Sequence, residues 1–249
     1  MVGREDGSGV ADETSPRPHP PIFNIPGIIA VLIVAFAAVH ILRTMVLGDI
    51  AEARFLIDFS FIPGCYAGLD DVCRFRDAGA GVWSPLTYAF LHGGWMHFGV
   101  NSLWLVAFGA PVARRLGTGR FLVYSALGAI AGAAVFYLVN PALIVPVIGA
   151  SGVVSALMGG ACRFAFTGQD PSGRLPAEEH RPRASIAEAL SNRTVLIFII
   201  VFFATNLLIG SGVGGALGGG EVAWEAHLGG FLFGFLALPA FDPVPATRG

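Results

Sequence analysis

The sequence predicts an all-α membrane protein built as a bundle of six transmembrane helices. Of its 249 residues, 54% are hydrophobic and 13% are charged, whereas soluble domains carry about 25% charged residues. The 34 glycines are typical of helices in lipid, where small residues let backbones approach closely. A helix needs about 20 residues to cross the hydrocarbon core. Six apolar stretches approach or exceed this length: 26–47, 86–110, 121–140, 148–166, 194–210 and 222–241.

The segments outside these stretches are polar or mixed in composition. Residues 1–25 are polar and proline-containing, are not a signal peptide, and are predicted to be a disordered tail. Residues 48–83 mix apolar and charged side chains, which favours a loop on or partly within the membrane interface. The polar 167–193 segment is predicted to be an exposed linker, and 242–249 a short tail. The predicted bundle itself spans 26–241.

The arginine distribution predicts the orientation, because cytoplasmic loops carry an excess of basic residues. The N-terminal tail, 111–120, 163–193 and the C-terminus together hold eleven arginines. The alternate segments, 48–83, 141–149 and 211–221, hold three. Both termini and the linker are therefore expected in the cytoplasm. The net charge of −2 gives no overall attraction for nucleic acid.

Three cysteines are too few for a disulfide framework. Cys65 and Cys73 share the 48–83 loop and can pair if that loop faces an oxidising compartment. Their pairing stays open at the level of sequence. Cys162 is expected to be packed and inert.

Several polar residues are predicted at membrane depth, where ionisable groups are costly. A Gly-Gly pair breaks the second stretch, so its membrane helix is expected to run from about Trp95 to Ala110, with His97 in its first turn. Asn101 follows at i+4 and shares the face of His97. Ser151 lies in the first turn of the fourth stretch.

The sixth stretch carries His227 about one turn from its start. The second, fourth and sixth helices enter the membrane from the same side, so their polar residues fall at nearly the same depth. Unrelated structural residues need not align in this way, and the alignment therefore favours one shared site.

Each polar residue also has a structural interpretation. Ser151 can be a helix cap or a packing residue, Asn101 an interhelical hydrogen-bonding residue, and the histidines satisfied core residues. His40, in the first stretch, has no visible partner and is expected to be structural. His92 lies outside the glycine break, and support of the loop or the site is as plausible as no role.

The catalytic interpretation accounts for the polar residues together. A serine hydroxyl is a poor nucleophile until a base takes its proton, and a neutral histidine suits this task near physiological pH. His227 can serve Ser151 if the fourth and sixth helices pack together. Asn101 and His97, with the N–H groups at the head of the fourth helix, can donate to an oxyanion.

Small residues make this helix packing possible. Gly230 and Gly234 form a small-xxx-small face on the side of His227, and Gly149 and Gly152 are small residues on the opposite helix. No acidic third member is evident, because Glu225 is two residues from His227 and points to another face. We therefore predict a serine–histidine dyad whose histidine is held by packing.

Three motifs carry a resemblance to a known family. "GASG" at 149–152, "HGGWMHFGVN" at 92–101 and "AHLGGFLFG" at 226–234 resemble the GxSG, HxxxxHxxxN and last-helix motifs of the rhomboid intramembrane serine proteases. The resemblance covers about residues 26–241.

The resemblance implies a six-helix rhomboid-like bundle with a water-filled cavity open to the outside. It implies Ser151 as nucleophile, His227 as base, Asn101 and His97 as oxyanion donors, and no metal or cofactor. Substrates would be single-span membrane proteins in the lipid bilayer, cut at small residues in or near their membrane segments. A bacterial inner membrane is the expected location.

Two positions depart from the family pattern. Ser84 follows Trp83 where many members have Trp-Arg, and Ser155 stands where some members place a tyrosine against the base histidine.

The alternative functions are a transporter or channel, a metal-dependent hydrolase using His92, His97 and His227, and a catalytically inactive rhomboid-like binding protein. The sequence shows no inverted repeats or HExxH motif, and both dyad residues are present. It leaves the substrate and the oligomeric state open.

Overall fold

The computed structural model describes residues 25–68, 71–168, 177–210 and 222–244. Within these ranges the chain is mostly helical, and an isolated antiparallel bridge pairs Phe61 with Val147. The predicted tails, apart from residues 25 and 242–244, lie outside the described residues, as does the 211–221 loop. The α-helices are α1 (Gly27–Ile41), α2 (Asp49–Phe59), α3 (Ala80–Thr87), α4 (Trp95–Trp104), α5 (Ala110–Leu116), α6 (Thr118–Val139), α7 (Ser151–Ala161), α8 (Ile186–Ser191), α9 (Arg193–Leu208) and α10 (Trp224–Phe241).

Three described segments are long and apolar enough to cross a membrane: Gly27–Val46, Trp95–Leu116 and Thr118–Val139. The other predicted spans correspond to α7, α9 and α10, which have 11, 16 and 18 residues. An all-α membrane architecture is therefore confirmed, whereas a count of six crossings stays a prediction.

The second predicted span begins at Trp95 as expected, but it ends later than predicted. A π-helical turn at Leu105–Gly109 joins α4 to α5, so the helix continues to Leu116 rather than stopping near Ala110. Pro111 lies at the start of α5 and has no N–H to donate. A wider turn directly before it lets the helix continue past the proline.

The tightest packing joins α7 to α10. A Cβ placed on Gly230 would collide with the carbonyl oxygen of Gly152, and one placed on Gly234 would collide with that of Ala156. On the other helix, a Cβ at Gly159 would lie 2.8 Å from the backbone nitrogen of Phe235 and collide with other backbone atoms of α10. The two backbones therefore touch directly, as small residues at a membrane helix interface permit.

Tyr124 ties α6 to this pair of helices. Its side chain is buried, and its hydroxyl lies 2.7 Å from the Gly234 carbonyl oxygen and 3.3 Å from that of Ala156. The single hydroxyl hydrogen is thus shared between two helices whose carbonyls also serve their own hydrogen bonds. The α6–α7–α10 group forms the centre of the bundle.

The 48–83 loop is anchored by side chains that reach its own backbone. Arg76 donates from Nε to the Ile57 carbonyl at 3.0 Å and from Nη2 to the Ser60 carbonyl at 2.7 Å. Trp83 donates from Nε1 to the Asp58 carbonyl at 2.9 Å. Arg76 therefore holds the loop although no arginine follows Trp83.

The disulfide left open by the sequence is present. Cys65 and Cys73 are bonded and close a short loop between α2 and α3. The third cysteine, Cys162, is free and buried at the end of α7, as predicted.

The described part of the 167–193 linker is partly packed rather than wholly exposed as predicted. Arg115 donates from Nη1 to the carbonyls of Glu178 and Arg181, each at 2.8 Å. Arg163 donates to the Ala184 carbonyl from Nε at 3.0 Å. A run of polar residues gave no sign of this anchoring, because the arginines that hold the linker lie outside it, Arg115 in α5 and Arg163 in the turn after α7.

The contact between α7 and α10 predicts the response to an added methyl group. Gly234→Ala would press its Cβ against the Ala156 carbonyl, and overpacking of this kind typically costs about 1–3 kcal/mol. The melting temperature in detergent should fall by several degrees. Gly99→Ala in α4 is the matched control, because a Cβ there meets no atom within 4 Å. Equal melting temperatures for both variants would contradict the contact.

Candidate active site

Ser151 is the first residue of α7 and lies in a backbone of special shape. The N-cap is Ala150, and no side chain caps the helix, so Ser151 does not act as a cap. Gly149 has φ +121°, a conformation that residues with a side chain rarely adopt. A Cβ at Gly149 would lie 2.6 Å from His97 Nε2 and 3.7 Å from Ser151 Oγ. Glycine at this position thus lets the imidazole and the hydroxyl border the same space.

Tyr88 supports this turn from behind. Its carbonyl accepts a hydrogen bond from the Gly149 N–H at 3.0 Å, and its hydroxyl donates to the Ala129 carbonyl at 2.9 Å. A Cβ at Gly152 would lie 2.6 Å from the Tyr88 hydroxyl oxygen. No sequence signal marks this role, because one aromatic residue at the edge of an apolar stretch has nothing to distinguish it.

A cavity of about 560 Å³ lies at the heads of α4, α7 and α10. It brings together His97, Ser151 and His227, the residues that their common depth had placed at one site. Its other lining residues are mostly apolar and come chiefly from the segment before α7 and from the start of α10, with further contributions from the end of α6 and from Gly93 and Gly210. The lining residues with polar side chains are Asn140, Trp224 and Glu225.

His227 is held by a hydrogen bond that sequence reasoning missed. Its Nδ1 and the Oδ1 of Asn206 form a short hydrogen bond between α10 and α9. The prediction that packing rather than a carboxylate holds His227 is therefore incomplete, because an amide also holds the ring. Asn206 is a polar residue in the predicted 194–210 span, and that was the available signal.

His97 makes a different contact. The Gly93 N–H donates to His97 Nδ1 at 3.3 Å. A neutral imidazole that accepts at Nδ1 carries its proton on Nε2. The Nε2–H is thus on the side that borders Gly149 and Ser151.

Asn101 is buried, with 4% of its surface exposed, and its Nδ2 donates to the His97 carbonyl at 3.0 Å. It is not among the cavity-lining side chains of the described ranges. An amide has two N–H groups, and this bond uses one of them. Asn101 therefore lies one turn after His97 in α4, with one amide N–H not used by this bond.

His92 and His40 extend the cluster away from the cavity. The His92 ring is fully buried and lies 5.2 Å from the His97 ring, while its carbonyl accepts from Arg43 Nη1 at 3.0 Å. The His40 ring packs edge-on against Trp95 at 4.6 Å. Within the described residues, no three His, Cys, Asp or Glu side chains are arranged to hold a metal ion.

Glu225 lines the same cavity although it is two residues from His227. Its Oε1 accepts a hydrogen bond from Asn140 Nδ2 at 3.0 Å. The carboxylate therefore joins the head of α10 to the end of α6, and its described hydrogen bond is not with His227.

Comparison with known proteins identifies the family of the chain. The family model for the rhomboid domain matches residues 79–241. The match begins just before α3 and is therefore shorter than the expected range of 26–241. The chain is 30% identical over 163 residues to the rhomboid protease GluP of Bacillus subtilis (strain 168). That alignment covers 64% of this chain and 26% of the relative, so the chain spans about a quarter of the relative's length. The helical membrane architecture, the three motifs and the family match lead to one conclusion: the chain belongs to the rhomboid family.

Proposed function

We propose that this membrane protein is an intramembrane serine endopeptidase with Ser151 as nucleophile and His227 as general base. The observation that carries the proposal is the cavity in which Ser151, His97 and His227 meet at the heads of three helices. Serine and histidine are the two groups that acyl transfer requires. The family match supports a protease in general, and these residues define its chemistry.

The hydrogen bonds of the two cavity histidines give them opposite roles. His227 donates from Nδ1 to Asn206, so Nε2 keeps a lone pair and can accept a proton. His97 accepts at Nδ1 from Gly93, so Nε2 carries a hydrogen and can donate. One imidazole is thus prepared as a base and the other as a hydrogen-bond donor.

The reaction follows from these roles. Ser151 Oγ attacks the scissile carbonyl carbon while His227 Nε2 takes the hydroxyl proton, which gives a tetrahedral oxyanion. When the C–N bond breaks, the imidazolium returns this proton to the leaving amine and an acyl-enzyme remains. Water then loses a proton to His227 as it attacks the ester, and Ser151 is released with its hydroxyl restored.

The oxyanion needs donors that are already in place. The Nε2–H of His97 borders the turn before Ser151. The N–H groups in the first turn of α7 have no carbonyl of their own helix to bind. We propose Asn101 as a further donor through its second amide hydrogen, and Gly149, Gly152 and His92 as support for the site.

The location of the site supports one substrate class. The cavity lies at the heads of apolar helices, which suits a peptide segment that leaves the bilayer. We propose single-span membrane proteins as substrates, cleaved in or near their membrane segments, in a bacterial inner membrane with both termini of the enzyme cytoplasmic. The test is co-expression with a panel of tagged single-span proteins, where the wild type should release fragments and Ser151→Ala should release none.

Ser151 is expected to react covalently with a fluorophosphonate. The probe should label the solubilised wild type, labelling should vanish in Ser151→Ala, and it should fall sharply in His227→Ala because the hydroxyl then lacks a base. Gel fluorescence of the purified proteins measures the label. Equal labelling of the wild type and Ser151→Ala would reject the nucleophile assignment.

Asn101→Ala separates a catalytic role from a structural one. Loss of an oxyanion donor typically lowers turnover by about 10²–10³ with little effect on apparent affinity, whereas interhelical hydrogen bonds average about 0.6 kcal/mol. We expect at least a tenfold loss in turnover and a melting temperature within a few degrees of the wild type. His97→Ala should behave in the same way. Normal turnover with a clear loss of stability would make Asn101 a structural residue.

Orientation is tested by single cysteines placed in the 211–221 loop and in the 167–193 linker. A membrane-impermeant thiol reagent added outside the cell should modify the first set and leave the second unmodified, because the arginine-rich segments face the cytoplasm. Mass-tagged gels report the modification. The reverse pattern would place the cavity at the cytoplasmic face.

A further inference from the structure

One orientation of the Asn206 side-chain amide satisfies the hydrogen bonds around it. Its Nδ2 donates to the Phe202 carbonyl one turn earlier in α9, at 2.7 Å. The amide oxygen is therefore the end that faces His227 Nδ1. Because an amide oxygen can only accept, the imidazole must donate, and the amide thereby fixes which ring nitrogen carries the proton.

We propose that Asn206 is a positioning residue for the reaction, so that the site is a Ser151–His227–Asn206 arrangement rather than a dyad. The inference rests on the proposed function and deepens it. Asn206 keeps His227 in the tautomer and ring orientation that leave Nε2 free to accept the proton of Ser151. Asparagine fills the equivalent position in Cys-His-Asn proteases, which share this logic on an unrelated fold.

The other polar side chains near His227 have no described hydrogen bond to its ring. Glu225, the carboxylate closest in sequence, accepts from Asn140. Ser155 lies one turn beyond the nucleophile and is buried within α7 with 2% of its surface exposed. Among the described residues, the His227 ring forms its hydrogen bond with Asn206.

The position of Asn206 on α9 links base orientation to helix packing. Val195, at the start of α9, is the buried residue of that helix. Nearer its end, Phe202 and Phe203 pack on Phe231 of α10 with ring centroids 5.6 and 5.1 Å apart. The hydrogen bond between Asn206 and His227 therefore depends on the packing of α9 against α10.

The experiment compares Asn206→Leu with Asn206→Asp. Leucine keeps the size of the side chain and suits a membrane helix, but it cannot accept from Nδ1. We expect turnover at least about tenfold lower, an unchanged KM and slower fluorophosphonate labelling of Ser151. Aspartate keeps an acceptor oxygen and should recover most of the turnover per folded molecule. Thr205→Val is the matched control, because its hydroxyl bonds only carbonyls of its own helix, and it should keep full turnover.

The outcomes separate this inference from the proposed function. If Ser151→Ala still cleaves substrate, the proposed function fails. If Ser151→Ala is inactive while Asn206→Leu matches the wild type in turnover and labelling rate, only the positioning role is rejected. Equal losses in Asn206→Leu and Asn206→Asp would also reject it, because the acceptor oxygen would then make no difference.

Discussion

The direct contact between the α7 and α10 backbones is the constraint on which the rest of the structure depends. Lipid gives helices no hydrophobic reason to associate, so close van der Waals packing has to hold them together. Gly230 and Gly234 bring α10 onto the carbonyls of Gly152 and Ala156. Ser151 directly precedes Gly152 in the chain, and His227 lies one turn before Gly230. The contact that stabilises the bundle therefore also sets the distance between the proposed nucleophile and base.

The two ends of the α7–α10 pair differ in how their polar side chains are paired. At the end away from the cavity, Arg115 and Asp242 form an ion pair with fully buried side chains, with Nη2 and Oδ2 2.8 Å apart. Arg163 donates to the carbonyls of Phe235 and Ala184. Buried charges are tolerated when they are fully paired, and these pairs close that end. The arginines whose number predicted the cytoplasmic side thus also hold the helix ends and the linker. At the other end, polar side chains line the cavity instead.

The sequence predicted which polar residues lie at the same depth, because depth follows from the position of a residue along its helix. It did not predict contacts that depend on how a helix is rotated about its own axis. Ser151, His97 and His227 could be placed together because each lies within about a turn of a helix start. Asn206 was visible as a polar residue in an apolar run, but nothing in one sequence says which neighbour a face of α9 meets. Arg76 was missed for a related reason, since its partners are backbone carbonyls, which every residue possesses and no motif marks.

An amide beside the proposed base, His227, has a physical advantage at this depth. A carboxylate placed within a membrane helix costs about 2.5–3.5 kcal/mol at the centre, and it would have to be paired in every step of the cycle. The Oδ1 of Asn206 gives the same directional contact to His227 without a charge. The neutral imidazole of His97 likewise presents a donor without a positive charge, because the backbone N–H of Gly93 occupies its Nδ1. In the proposed mechanism the groups that orient the reaction, His227, Asn206 and His97, are thus neutral, and their hydrogen bonds assign the roles of base and donor, while the Glu225 carboxylate in the same cavity accepts from Asn140. In the proposed reaction, charge would then develop on these groups only as the reaction proceeds, at positions where acceptor and donor are already oriented.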